Sequence, residues 1–213
     1  MRIGVIGSGA VGAVLAEGFL KYGHEVMRGS RTPEKLSAWA GRHGERASVG
    51  TLAVTAVYGD VVVLAVKGSG AEAAVDVCGD ALAGKVVIDT TNPIDDRPPE
   101  AGVVRFFTDH NQSLLERLQS RAPAAKLVKA FSCVGSRVMV NPSFSVGRPT
   151  MFICGNDREA KATVGEFLDD FGWEIADLGG AVSARAIEPL CMLWCIPGFQ
   201  SQEWTHAFKL LHA

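Results

Sequence analysis

The sequence predicts a doubly wound α/β fold: a mostly parallel sheet covered by helices, with a small helical extension at its C-terminal end. Three observations carry this. Short, β-branched apolar runs recur along the chain, such as Asp60-Val-Val-Val-Leu-Ala-Val66 and Lys85-Val-Val-Ile-Asp89. Segments of helical periodicity separate them, as a β-then-α repeat requires. Runs this uniformly apolar suit strands buried on both faces, hence a parallel sheet with right-handed crossovers.

The elements follow in order. Residues 2–6 form a first strand, 11–22 a helix closed by Gly23, and 24–28 a second strand. Thr32 and Pro33 read as the N-cap and first residue of the next helix. A helix is expected over 51–58, a strand over 60–66, a helix over 70–82 and a strand over 85–89. Beyond a proline-rich loop come a strand at 103–107, a helix at 112–121 and a strand at 126–131. Strands at 150–154 and 173–177 flank a helix at 157–171. Two last helices, 182–195 and 199–211, carry Trp194, Phe199, Trp204 and Phe208. The expected organisation is one domain over 1–180, with 181–213 as a helical lobe packed on it.

The 213 residues are 47% hydrophobic and 21% charged, with a formal net charge of −2. That is an ordinary globular composition. Without a basic stripe, nucleic acid is not an expected partner. Five cysteines (78, 133, 154, 191 and 195) have no framework spacing and read as reduced core thiols; no metal site is expected. The apolar N-terminus is interrupted by Glu17 and reads as mature, cytoplasmic protein rather than a leader or membrane span.

Gly7-Ser8-Gly9-Ala10-Val11-Gly12 is a GxGxxG between a strand and a helix. Gly7 permits the tight turn, Gly9 lets backbone approach a pyrophosphate, and Gly12 lets helix and strand pack closely. The anion would lie against free N–H groups at the positive end of the helix dipole. This is the dinucleotide loop of a Rossmann domain. An NAD site would place a carboxylate at the tip of the second strand to bind the ribose 2′-OH. Here the strand runs out through Arg28-Gly29-Ser30-Arg31, and Glu25 lies at its start. Ser30, Arg31 and Lys35 are donors suited to a 2′-phosphate, so NADP(H) is the expected cofactor.

With these segments the chain resembles the NADP oxidoreductases dependent on coenzyme F420. Residues 63–66, 89–94, 128–131, 152–157, 183–190 and 207–211 carry the resemblance along nearly the whole length. It implies that Ser8, Ser30, Arg31 and Lys35 hold the phosphates. Ala65, Val66 and Lys67 would line the pyrophosphate and ribose, and Thr91, Asn92 and Pro93 would approach the nicotinamide. It implies hydride transfer between NADPH and a small redox co-substrate, F420 or a flavin. Where F420-using members carry a His-Thr-Ile-Pro-like stretch, this chain has Ser132-Cys-Val-Gly135. The same arrangement is shared with the reductase domains of membrane metalloreductases, although no membrane partner is expected here.

No acid/base constellation stands out, which fits direct hydride exchange between stacked rings. Lys67 follows a buried strand at its carboxyl end, where it can meet a phosphate or an acidic acceptor, and His110 is the histidine best placed to face the crevice. Arg185 and Glu188 are spaced as an i,i+3 pair. Exposed aromatics on the last helices favour a homodimer. An NADPH-dependent imine or carbonyl reductase and a non-enzymatic NADPH sensor stay open as alternatives.

Overall fold

The computed structural model describes residues 1–212. Eight strands form one sheet: β1 (Arg2–Ile6), β2 (Glu25–Gly29), β3 (Ala47–Gly50), β4 (Val61–Leu64), β5 (Val86–Asp89), β6 (Lys126–Lys129), β7 (Thr150–Gly155) and β8 (Glu174–Asp177). Their spatial order is β3-β2-β1-β4-β5-β6-β7-β8. The first six reproduce the Rossmann order, all parallel, with the switch point between β1 and β4. β7 runs antiparallel to β6, and β8 is parallel to β7. The right-handed parallel repeat expected from sequence therefore stops at β6.

The apolar strands bury both faces. On one side α1 (Ala10–Lys21), α2 (Ser37–His43) and α6 (Arg158–Asp170) cover a core with Phe19, Trp39, Phe167, Phe171 and Trp173. On the other, α3 (Leu52–Tyr58), α4 (Ala71–Cys78), α5 (Leu114–Arg121) and α7 (Ala184–Ile187) cover Ile6, Leu64, Val87 and Leu127. Thr51 and Ser113 are side-chain N-caps of α3 and α5, and Ser113 with Glu116 forms a capping box.

Several expectations are corrected. β3 was not legible, because its four residues are all half-buried and none gives a strong apolar signal. Residues 33–36 form a 3₁₀ turn, and Thr32 makes no side-chain cap; its N–H donates to Ser30 Oγ. The span 103–107 forms only isolated bridges, Ile94 with Phe106 and Glu100 with Val103. The two expected last helices are replaced by α7 and α8 (Leu190–Ser201), which ends at left-handed Gln202. Residues 202–212 are not helical. Instead Phe208 C=O accepts from Thr150 N–H, and Leu210 N–H donates to Thr150 Oγ1, so the tail is held by β7. Around it Trp194 lies 5.5 Å from Trp204 in a separate small core with Cys191, Cys195, Phe106 and Phe208. No helix among the described residues is long and apolar enough to cross a membrane.

Candidate functional site

A groove of about 510 Å³ opens at the carboxyl ends of β1, β2 and β4. It brings together Gly7, Ser8, Gly9, Ser30, Arg31, Ala65, Val66 and Lys67, eight of the fifteen residues singled out from the sequence. Ala10, Val11 and Gly12 lie beside it in the first turn of α1, while Lys35 sits in the 3₁₀ turn outside the lining. Thr91, Asn92 and Pro93 follow β5 and are also outside it.

The glycines differ in what they do. Gly7 has φ +143°, and a Cβ there would stand 2.1 Å from Ala65 O. A Cβ on Gly12 would stand 2.6 Å from Gly7 O. Both are therefore required by the fold. Gly9 has φ −79°, and a Cβ there meets nothing within 4 Å. No protein contact demands glycine at that position; open space lies where a ligand would approach. Gly9 is also the N-cap of α1, with no side chain to cap it and no acidic residue in the first turn. The free N–H groups and positive dipole end face an anion without competition. These residues fit a dinucleotide pyrophosphate.

At the β2 end, Ser30 Oγ accepts the Thr32 N–H at 3.1 Å, which leaves its own O–H free to donate. Arg31 is exposed and has no carboxylate within ion-pair distance among the described residues. Lys67, by contrast, pairs with Asp96, a competitor for any phosphate. The remaining wall is Gly29 with Thr51, Leu52, Gly70, Ala73, Ala74 and Val77, from the start of α3 and one face of α4. Small and apolar, it can take a flat ring. Sequence reasoning missed it, because no single residue type marks an adenine-sized slot.

A buried ionic cluster at the carboxyl ends of β5 and β6 was also missed. Asp89 and Lys129 are register partners at the ends of β5 and β6. Lys129 Nζ lies 2.6 Å from Asp89 Oδ2 and 2.8 Å from Glu188 Oε1, and all three are at most 2% exposed. Burial alone would depress the Lys129 ammonium, but the two carboxylates outweigh it and hold its pKa above the ordinary lysine value. The spare carboxylate charge is met by Leu114 N–H and Leu115 N–H, which donate to Glu188 at 2.9 and 3.0 Å from the start of α5. The expected Arg185–Glu188 pair does not form: Arg185 reaches Glu116 instead, because Glu188 points inward to Lys129.

This cluster fixes the segment after β5. Lys129 Nζ donates to Thr91 O at 2.8 Å, and Asp89 Oδ1 accepts from Thr91 N–H at 2.9 Å and Thr91 Oγ1 at 2.7 Å. Every polar group of Thr91 is thus engaged inside the protein. Asn92 Nδ2 then donates to Ser132 O at 2.6 Å, tying the segment to the loop after β6.

Against known proteins, residues 2–93 match the family model for coenzyme F420-dependent NADP oxidoreductases. A crystal structure of an Arthrobacter sp. FB24 protein, described as a candidate F420-dependent NADP reductase, is 31% identical and superposes with a TM-score of 0.92 over all of both chains. The chain belongs to the F420-dependent NADP oxidoreductase family. The F420-dependent NADP reductase of Methanothermobacter thermautotrophicus is 29% identical over 91% of this chain and 87% of its own. Rat metalloreductase STEAP3 is 31% identical over 92% of this chain, yet the chain spans only 38% of that longer protein.

The family is one of NADP oxidoreductases. In this member the loop after β6, Ser132–Gly135, is packed by the C-terminal segment: a Cβ on Gly135 would stand 2.6 Å from the Trp194 ring. A second cavity, about 450 Å³, lies between the 97–110 loop and α7–α8, and His110 lines it. Its three arginines are each neutralised locally, Arg97 by Asp95, Arg105 by Glu100 and Arg185 by Glu116.

Proposed function

We propose that this chain transfers hydride between NADPH and F420 or a flavin. Supporting this is the groove geometry: a glycine loop with an open Gly9, and a β2 tip offering Ser30 and Arg31 in place of a carboxylate. NADPH, when bound, supplies the hydride.

In this reading the Gly7–Gly12 turn holds the pyrophosphate on its backbone amides, and Ser30 and Arg31 hold the 2′-phosphate, with Lys35 adding a third donor. Ala65, Val66 and Lys67 border the ribose. The Asp89–Lys129–Glu188 cluster keeps Thr91–Pro93 rigid under the nicotinamide, so that it presents one face to the acceptor. Residues 181–212 act as a lobe closing the acceptor side through Trp194 and the Ser132–Gly135 loop. A homodimer through exposed Phe199 and Leu211, in a cytoplasmic setting, belongs to the same reading.

The test is NADPH oxidation followed spectroscopically with F420, FMN or FAD as acceptor. Turnover with one of the three is expected. Tight NADPH binding without turnover on any of them would remove hydride transfer to a deazaflavin or flavin from consideration.

A further inference from the structure

We propose that Arg28 is the buried counter-charge of the dinucleotide pyrophosphate, acting from beneath the glycine loop as a positioning residue. This rests on the NADP-binding reading above and deepens it.

Side chains two apart on a strand share a face, so Arg28 follows Val26 into the core beside α1 and α2. There it is only 3% exposed, and its guanidinium lies 5.0 Å from the Trp39 ring. Arginine in such a place ordinarily pairs with a carboxylate. Arg28 has none within ion-pair distance among the described residues, and Glu17, half-exposed on α1, is the acidic group whose charge reaches it. Its Nε has no hydrogen-bond partner. Its Nη2 makes two long contacts, 3.4 Å each, to Gly7 O and Gly9 O. Two long contacts to neutral carbonyls and the face of Trp39 leave the cation without a counter-charge. The nearest element able to bring a compensating anion is the loop directly above it.

The contacts also have a direction. Across a trans peptide the C=O and the next N–H point to opposite edges. Holding Gly7 O on Arg28 therefore turns the Ser8 amide away from it, toward the side where Ser8 and Gly9 border the groove. Gly9 O also accepts the Ala13 N–H at 3.0 Å, so the first turn of α1 directs the Ala10 amide. One side chain thus helps aim the Ser8 donor at the pyrophosphate and places a positive charge behind the whole loop. Glycine-loop chemistry does not need an arginine at this position, so the sequence motif alone gives no hint of it.

The division of labour with Arg31 is testable. Arg31 at the β2 tip would read the 2′-phosphate that only NADPH carries, whereas Arg28 would serve the pyrophosphate common to NADPH and NADH. Nucleotide binding by calorimetry and thermal unfolding without nucleotide are measured for the wild type and for Arg28→Met, Arg28→Gln and Arg28→Lys. Arg28→Met is expected to weaken NADPH and NADH alike by about tenfold or more, the scale of one lost charge-assisted interaction. Its nucleotide-free unfolding temperature should stay level or rise, since an unpaired buried cation has gone. Arg28→Lys should retain affinity within about threefold, and Arg28→Gln, which keeps donors without charge, should bind as poorly as Arg28→Met. If Arg28→Met fails to fold, the Gln and Lys variants decide. Affinity in Arg28→Gln equal to wild type overturns the proposal, as does a destabilised variant with unchanged binding. Loss for NADPH alone reassigns Arg28 to the 2′-phosphate and overturns it too. A wild type that binds neither nucleotide brings down the NADP reading itself, an outcome distinct from all of these.

Discussion

Lys129 donates from its ammonium to the carbonyl oxygen of Thr91 at 2.8 Å, although the two residues lie on different strand ends and the lysine is fully buried. The contact links the charge balance of the core to the backbone conformation of the segment at the β5 end. Lys129 is held by two carboxylates, so the cluster carries one net negative charge, met by neutral donors: the start of α5 on Glu188 and Thr91 on Asp89.

That imbalance makes the three members unequal. Lys129→Met would strand two buried carboxylates and should cost about 3–5 kcal/mol. Asp89→Asn leaves one lysine with one carboxylate and keeps an acceptor for Thr91, so its cost should be less than half as large. Denaturant midpoints of the two variants check this. Equal losses would show that packing volume, not charge, governs the cluster.

Gly9→Ala separates binding from folding. Its Cβ meets no protein atom and its backbone dihedrals suit alanine, so thermal unfolding without nucleotide should shift by no more than about 1–2 °C. The same methyl occupies the space proposed for the pyrophosphate, and NADPH affinity should fall by about tenfold or more. Gly7→Ala, colliding with Ala65 O, should instead impair folding itself. An alanine at position 9 that binds NADPH as tightly as wild type would move the pyrophosphate elsewhere.

Arg31→Ala should weaken NADPH binding by about 1–3 kcal/mol, the cost of losing a charge-assisted pair, and leave NADH binding nearly unchanged. Arg31 is exposed and forms no ion pair among the described residues, so no such contact is lost with it. Side-by-side titrations with the two nucleotides measure the difference. Equal losses would show that Arg31 does not read the 2′-phosphate.

The glycine loop and the β2 tip were legible because local backbone chemistry writes them into contiguous residues. The same holds for β1, β4 and β5, whose apolar runs are buried on both faces. What escaped were features assembled from distant positions. Asp89, Lys129 and Glu188 come from three elements and look like ordinary surface charges in sequence, since only the β5–β6 register and the approach of α7 bring them together. The sequence ends the second strand at Arg28 and gives that residue no role, because its burial depends on Trp39 in the following helix. Aromatic spacing predicts a helical tail, but those aromatics pack around Trp204, and the chain is tied to the start of β7 at Thr150. Periodicity records which residues are buried, not which element buries them.

The capping box of α5 supplies a pH-dependent prediction. Glu116 accepts from the Arg185 guanidinium at 2.6 Å and from Ser113 N–H at 2.8 Å, and Arg185 foremost holds its carboxyl well below the usual range, at about 2. A carboxylate with a folded pKa lower than its unfolded one stabilises the protein fully above the unfolded value. As pH falls below about 4.5 the unfolded chain takes up the proton first, and the contribution shrinks until it is gone near pH 2. Glu116→Gln should therefore lower the unfolding temperature relative to wild type by a constant amount from pH 7 to about 5, with the two curves converging at lower pH. Other depressed carboxylates, Asp60, Asp95 and Asp157 among them, steepen the acid limb of both proteins equally and cancel in the difference. A gap that persists unchanged to pH 2 would mean that Glu116 stabilises α5 through hydrogen-bond geometry rather than through its charge.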